Sequence, residues 1–347
     1  MPAIIKQFFA QSHEMTPSDP RFVSLQEWLG KQFATEPTLQ IISGDASFRR
    51  YFRAALGGQS FIVMDSPPQL IPLGPFQQVA KAYGEAGIPV PKILAAEPNQ
   101  GFMLLEDLGD DLLLSHLTQT SVLDWYGQAL ELLPAIASVK ATDAGPLPEY
   151  DAEFVQRELA IFVDWLLEVH LQLPLDSDER AMLAQAFEFL AENALEQPRH
   201  GMHRDFHSRN LMLVQGKLAV LDFQDAVQGP ITYDAVSLLR DCYVRWPEHL
   251  VEEGMLIHFE LCHRHGLVPM DTDFNRYRRW FDLMGIQRHL KAAGIFARLN
   301  HRDNKPGYLK DIPLTLGYIR DVAVRYRELG PLACFINERV WPKVMIK

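Results

Sequence analysis

The sequence predicts an α+β fold in which a small lobe of mixed antiparallel sheet precedes a larger, mostly helical lobe. Three observations carry that expectation. Between residues 39 and 105, short apolar runs alternate with Gly and Pro punctuation, the pattern of strands and turns. From Leu112 onward, apolar residues recur at helical spacing. Within that helical region the stretch GMHRDFHSRNLMLVQGKLAVLDFQD, from Gly201 to Asp225, interrupts the pattern with two apolar runs around a polar turn.

The elements follow in order. Ser18, Asp19 and Pro20 ahead of Phe22, Leu25, Leu29 and Phe33 signal a helix start, a capping residue followed by Pro in the first turn. Strands are expected at Leu39–Ser43, Phe48–Leu56 and Gln59–Asp65, the last two joined by a Gly57-Gly58 hairpin turn. Pro67, Pro68, Pro72 and Pro75 break the chain before a helix from Phe76 to Ala86, which Gly87 ends. The extended segment IPVPKILAAE and a strand at Phe102–Leu105 complete the first lobe, assigned to residues 1–108, with the second at 109–347.

In the second lobe, Ser121 with Asp124 reads as a capping box opening a helix to about Lys140, kinked at Pro134. The series Phe154, Leu159, Phe162, Trp165, Leu166 and Val169 reads as a helix buried on more than one side. Further helices are expected at Asp176–Glu196, Tyr233–Val244, Glu248–His265, Thr272–Leu299, Leu314–Leu329 and Pro331–Trp341.

Composition narrows the function. At 347 residues the chain can bury a sizeable core, and its 48% hydrophobic and 22% charged residues are those of a soluble globular protein. A net charge of −11 argues against generic nucleic-acid or anionic-membrane binding, although a local Arg cluster can still hold an anionic substrate. Cys242, Cys262 and Cys334 are widely spaced and odd in number, so no disulfide framework follows. The opening MPAIIKQFFAQSHEM lacks a sustained apolar core, and no run approaches a membrane span, so a cytoplasmic location, where ATP is supplied, is expected. Nothing in the sequence calls for an obligate protein partner.

The central stretch carries the chemistry. His203, Arg204, Asp205 and Asn210 fit H-R-D-x-x-x-x-N, and Asp222 follows a second apolar run. Leu211–Val214 and Leu218–Leu221 read as a hairpin turning at Gln215, Gly216 and Lys217, which brings Asn210 and Asp222 side by side. Phosphoryl transfer needs one carboxylate to accept the proton of an attacking hydroxyl, and a second carboxylate with an amide oxygen to hold Mg²⁺ on the nucleotide phosphates. Asp205 fits the first role, and Asn210 with Asp222 the second.

Other residues are weighed around this motif. Gly44, Asp45, Ala46 and Ser47 form a loop whose small residues would let backbone N–H groups approach phosphate oxygens. Glu106, Asp107 and Leu108 lie where backbone atoms could hydrogen-bond an adenine. His207, Gln224, Asp225, Arg240 and Asp241 are candidates for contact with the acceptor, and Asp234 for a structural cap or anchor of the next helix. His258, Cys262, His263 and His265 could suggest zinc, but only 258 and 262 share a helix face, and the cluster is set aside.

With HRDFHSRNLML and LAVLDFQD in a helical lobe behind a strand-rich one, the chain resembles the aminoglycoside phosphotransferase and choline kinase group of the protein-kinase-like, bilobal fold. Closer still, SGDASFRRYFR, VMDSPP, LLEDLGDD and LDFQDAVQGPITYDAVSLLRDCYVRWP resemble the bacterial N-acetylmuramate/N-acetylglucosamine anomeric kinases of cell-wall recycling. The resemblance implies ATP and Mg²⁺ as cofactors, an amino sugar phosphorylated at C1 as substrate, Asp205 as catalytic base, Asn210 and Asp222 as metal ligands, and residues 44–50 over the phosphates. It implies an adenine hinge at Glu106, Asp107 and Leu108. Met64 stands roughly where the fold usually places a phosphate-binding Lys, and Gln77 and Gln78 near its usual Glu partner. Another cation is then needed, and Arg49, Arg50 and Arg53, near Phe48, are the candidates. Another small alcohol (an aminoglycoside, choline or a different sugar) and a catalytically silent ATP-binding scaffold are the alternatives.

Overall fold

The computed structural model describes residues 19–33, 37–42 and 48–346. Contacts cluster into two units, one formed by the described residues up to Gln77 with Pro91–Gly109, the other by Gln78–Val90 with Asp110 onward.

The first unit is a helix packed on a sheet. In α1 (Pro20–Gln32) the Asp19 side chain accepts the Arg21 N–H at 3.0 Å and so caps the first turn, while Ser18 lies outside the described residues. Leu25, Trp28 and Leu29, three and four apart, form one buried face that packs on Phe52, Ala54, Val63, Phe102 and Leu104. The receiving sheet holds β1 (Thr38–Ile42), β2 (Arg50–Leu56), β3 (Gln59–Asp65), β4 (Ile93–Glu97) and β5 (Phe102–Glu106), all antiparallel in the order β1-β2-β3-β5-β4. Gly57 and Gly58, at φ +58° and +81°, make the β2–β3 turn, a pair of left-handed residues that matches the twist of the strands. Buried side chains of this size are each worth about 1.5–3 kcal/mol against exposure, so this face alone holds α1 to the sheet. α2 (Gly74–Glu85) leads from this unit into the next.

In the second unit β6 (Ala141–Thr142) and β7 (Gly145–Pro146) make a minimal hairpin, β8 (Arg199–Met202) pairs with β11 (Val227–Pro230), and β9 (Leu211–Val214) with β10 (Lys217–Val220). The helices that frame the site are α3 (Val122–Leu130), α4 (Leu133–Ser138), α5 (Ala152–Ile161), α6 (Ser177–Glu196), α7 (Tyr233–Leu239), α8 (Glu248–Arg264), α9 (Phe274–Asp303) and α10 (Ile312–Ala323). α9, thirty residues long and buried along most of its length, is the axis of this unit. α5 runs on as a π-helical stretch from Phe162 to His170, against which α9 packs closely: a Cβ at Gly294 would lie 2.4 Å from the Ile161 carbonyl oxygen. Only glycine permits that approach.

Several boundaries differ from expectation. Ser121 does not cap α3; its hydroxyl donates to the His116 carbonyl at 3.0 Å, and Pro134 opens a separate helix, α4, rather than kinking one. Asp176 does cap α6, its carboxylate and that of Glu179 bonding reciprocally to backbone N–H groups. α7 stops at Leu239, five residues short of Val244, because Arg240 leaves helical geometry at φ −118°, ψ +57°. Among the described residues no helix is long and apolar enough to cross a membrane.

Candidate active site

The β9–β10 hairpin turns at Gln215 and Gly216, both at positive φ (+52° and +77°), so its two strands run in register and return Leu221 to Asn210. The Leu221 N–H donates to the Asn210 carbonyl at 2.8 Å, which closes the hairpin's open end. Asn210 Nδ2 then lies 3.5 Å from Asp222 Oδ2 and donates to the Asp205 carbonyl at 2.9 Å. The three residues picked from the sequence are therefore neighbours. With its NH₂ turned toward these oxygens, the Asn210 side chain leaves its amide oxygen outside this pair of contacts. The Asp222 backbone is left-handed at φ +60°, a conformation that costs a non-glycine residue about 1–3 kcal/mol and persists only where its surroundings impose it. Gln224 Nε2 donates to Asp222 Oδ1 at 2.7 Å and contributes to that hold.

The loop before Asn210 is fastened from both ends of α7. Asp234 accepts the His203 N–H at 2.7 Å and the Arg204 N–H at 2.9 Å, one on each carboxylate oxygen. Arg204 is left-handed at φ +77°, and these two bonds pin it there. At the other end Asp241 accepts the Ser208 N–H at 3.0 Å, the Ser208 hydroxyl and the Tyr243 N–H at 3.0 Å. His203 joins the loop to the hairpin, Nε2 donating to the Leu221 carbonyl at 2.9 Å and Nδ1 accepting the Asp205 N–H at 3.2 Å. Burial pushes this imidazole down to about 4, so it stays neutral in the one tautomer that serves both bonds. Burial likewise drives the Asp234 carboxyl up, to about 7, against the pull of its two N–H donors.

Beneath the loop lies a buried ionic cluster. Glu158 of α5 meets Arg204 at 2.9 Å and Lys291 of α9 at 3.0 Å, and accepts from the Tyr150 hydroxyl at 2.8 Å and Gln287 Nε2 at 3.1 Å. Lys291 also donates to the Tyr233 hydroxyl at 2.9 Å, and the Arg204 guanidinium sits 4.9 Å over the Phe154 ring. Burial alone would raise the Glu158 carboxyl, but the Lys291 and Arg204 charges outweigh it and bring it down to about 2.

A pocket of about 410 Å³, counted out to its solvent mouth, opens beside Asp205. Asp205 and His207 form its loop side, with Cys242 and Tyr243 beyond α7. The α9 wall has Arg288 and Lys291 at one end and Ala292, Ile295 and Phe296 at the other, a stripe at helical spacing. Burial would raise the Asp205 carboxyl, yet Lys291, Arg204, His207 and Arg288 together hold it well below the usual carboxylate range. Burial lowers His207, and its Nδ1 has no hydrogen-bond partner among the described residues.

The remaining expected residues fall as follows. Asp241 anchors the loop and Asp225 is exposed, its carbonyl accepting Arg204 at 3.4 Å; neither lines the pocket. Arg240, 1% exposed, is bound in ion pairs to Asp282 at 2.7 Å and Glu248 at 3.1 Å, which clamps helices together away from the pocket lining. In the first unit Arg50 pairs with Asp19 and Asp65, and Arg53 with Asp107 at 2.7 Å and the Gly109 carbonyl at 3.3 Å, so neither is a free cation. Arg49 is buried and Phe48 half-buried. Met64 is fully buried in β3. Glu106 ends β5 and accepts the Lys92 N–H at 3.3 Å, and Leu108 is half-buried. Gly44, Asp45, Ala46 and Ser47 lie outside the described residues. His258 bonds the Tyr277 hydroxyl at 2.6 Å as a core histidine, and the described residues hold no group of three potential metal-binding His, Cys or acidic side chains. Sequence reasoning missed Glu158 of α5 and Arg288 and Lys291 of α9; their signal was charges set among apolar residues in two helices with long buried stretches.

Comparison with known proteins gives this geometry its context. A family described as phosphotransferase enzymes matches residues 38–266. A protein of Pseudomonas aeruginosa named N-acetylmuramate/N-acetylglucosamine kinase is 42% identical over 325 residues, 90% of this chain and 95% of that one. A Neisseria meningitidis protein of the same name is 40% identical over 330 residues, 92% of this chain and 96% of that one. Among solved structures, an aminoglycoside phosphotransferase in ternary complex with ADP and hygromycin B superposes with a TM-score of 0.59 at 18% identity, over 88% of this chain and 99% of that one.

Proposed function

This chain belongs to the phosphotransferase enzyme family, and from that premise we propose that it phosphorylates N-acetylmuramate and N-acetylglucosamine on the anomeric hydroxyl with ATP. The product is an α-1-phosphate, made in the cytoplasm for peptidoglycan recycling. Residues 1–108 serve as the nucleotide lobe and 109–347 as the catalytic and acceptor lobe. The name shared by two relatives at 40% and 42% identity supports the substrates, and the ADP-bound neighbour of the same fold supports a nucleotide.

The observation that carries the reading is Asp205 sharing Asn210 with Asp222 on one side and a pocket on the other. Asn210 and Asp222 offer hard oxygen donors side by side, which suit Mg²⁺. When bound there, the ion would neutralise charge on the nucleotide phosphates. Asp205 faces the acceptor. A carboxylate held so far below its usual range is a weak base in the empty site, so it orients the hydroxyl first and takes the proton as the bond to phosphorus forms. The cationic α9 wall disfavours a polycationic aminoglycoside as acceptor, since like charges repel in a buried site.

A screen for ADP release over both amino sugars, choline and aminoglycosides tests this directly. We expect release that depends on an N-acetylated amino sugar, and none with choline. Release with an aminoglycoside alone would overturn the substrate assignment. Asp222→Ala and Asn210→Ala should each lower kcat by about 10²-fold or more and raise the Mg²⁺ concentration needed for half-maximal rate. An unchanged Mg²⁺ dependence in both variants would remove them from the metal site.

A further inference from the structure

Among the described residues Arg288 is a buried guanidinium that forms no direct ion pair with a carboxylate. Its side chain is 5% exposed, and among the described residues its one hydrogen bond runs from Nη1 to Cys242 Sγ at 3.2 Å. The other charges nearby are accounted for. Lys291, three residues on, is paired with Glu158 at 3.0 Å, and Asp241, whose charge Arg288 feels at a distance, directs its oxygens to Ser208 and Tyr243. Asp205, whose charge Arg288 feels, has to remain open to the reacting alcohol. A guanidinium removed from water without a carboxylate partner is costly, and a fold that keeps one beside a pocket gains most when a ligand supplies the anion.

Which anion is indicated by what lines the pocket. Asn210 and Asp222 do not line it, whereas Asp205, whose carbonyl accepts from Asn210, does, which on the kinase reading makes this cavity the acceptor side and not the phosphate side. The rest of its α9 wall is Ala292, Ile295 and Phe296, which suit the apolar faces of a sugar ring. Resting on the kinase reading above, the geometry points to Arg288 as the group that recognises a carboxylate on the acceptor sugar. N-acetylmuramate carries such a carboxylate on its lactyl ether, and N-acetylglucosamine has only a hydroxyl there. Arg288 is accordingly a specificity-determining residue. It can meet the carboxylate through two parallel N–H groups, a geometry lysine lacks.

The test compares three acceptors, N-acetylmuramate, its methyl ester and N-acetylglucosamine, in the wild type, Arg288→Met and Arg288→Lys, with thermal melting of each protein as the folding control. In the wild type, esterification should lower kcat/KM by about 10- to 100-fold, mostly through KM. In Arg288→Met, the acid should fall to the level of the ester, because the two changes remove the same contact and do not add. Arg288→Lys should recover part of the preference for the acid, and serves alone if the Met variant does not fold. Equal losses on acid and ester in Arg288→Met, or a wild type indifferent to esterification, would overturn the assignment. Calorimetric binding of the acid and the ester without ATP reads the same contact independently of turnover. A wild type that binds the acid over the ester yet phosphorylates neither sugar would break the kinase reading and leave the carboxylate site standing.

Discussion

Asp205→Asn should reduce kcat by about 10²- to 10⁴-fold while the affinity for nucleotide and the melting temperature stay near wild type. The substitution keeps size and backbone bonding; what it removes is the charge that orients the acceptor hydroxyl and receives its proton. The wild-type rate should show no acid limb from this group between pH 5 and 8, because Lys291, Arg204 and Arg288 outweigh burial and keep the carboxylate ionised well below that window. A pH–rate profile and a nucleotide titration of the variant check both points. A variant with more than about a tenth of wild-type kcat would remove Asp205 from the chemistry.

Glu158→Ala should be the most destabilising single change in the cluster beneath the loop, by about 3–5 kcal/mol, since it leaves Arg204 and Lys291 buried and unpaired. Urea unfolding at neutral pH reads the loss directly. The pH dependence gives a second check. The folded carboxyl titrates at about 2 against 4.5 in its unperturbed state, so its contribution is complete above 4.5 and is lost as pH falls from there toward 2. In Glu158→Gln that component of the acid destabilisation should vanish. Activity should drop as well, because Glu158 holds the Arg204 side chain next to Asp205. A Glu158→Ala protein as stable as wild type would show that the cluster contributes nothing net.

The sequence was readable where the chemistry is local. The β9–β10 hairpin announces itself by two short apolar runs around Gln215-Gly216, and that turn alone decides that Asn210 meets Asp222. The five-strand sheet was legible for the same reason, its turns carried by Gly57-Gly58 and a run of prolines. What could not be read were pairings across long separations. Glu158 meets Arg204 over 46 positions and Gln287 over 129, and no periodicity encodes such partners. Asp234 and Asp241 show the ambiguity from the other side. Both sit near the ends of α7 as ordinary helix-end acids would, and only the folded chain reveals that they fasten the loop from His203 to Ser208. Arg240 and Arg288 present a like case: each is a buried arginine in a helical region, and only the folded chain reveals that Asp282 pairs directly with one while among the described residues no carboxylate pairs directly with the other.

The most direct measurement is phosphorus NMR of the product formed from ATP, Mg²⁺ and N-acetylglucosamine by the purified protein, followed with the Asp205→Asn variant in parallel. A new phosphate signal split by the anomeric proton in the α configuration is expected from the wild type and should be absent with the variant. A phosphate on any other hydroxyl, or ATP consumed with no sugar phosphate at all, would contradict transfer to the anomeric oxygen.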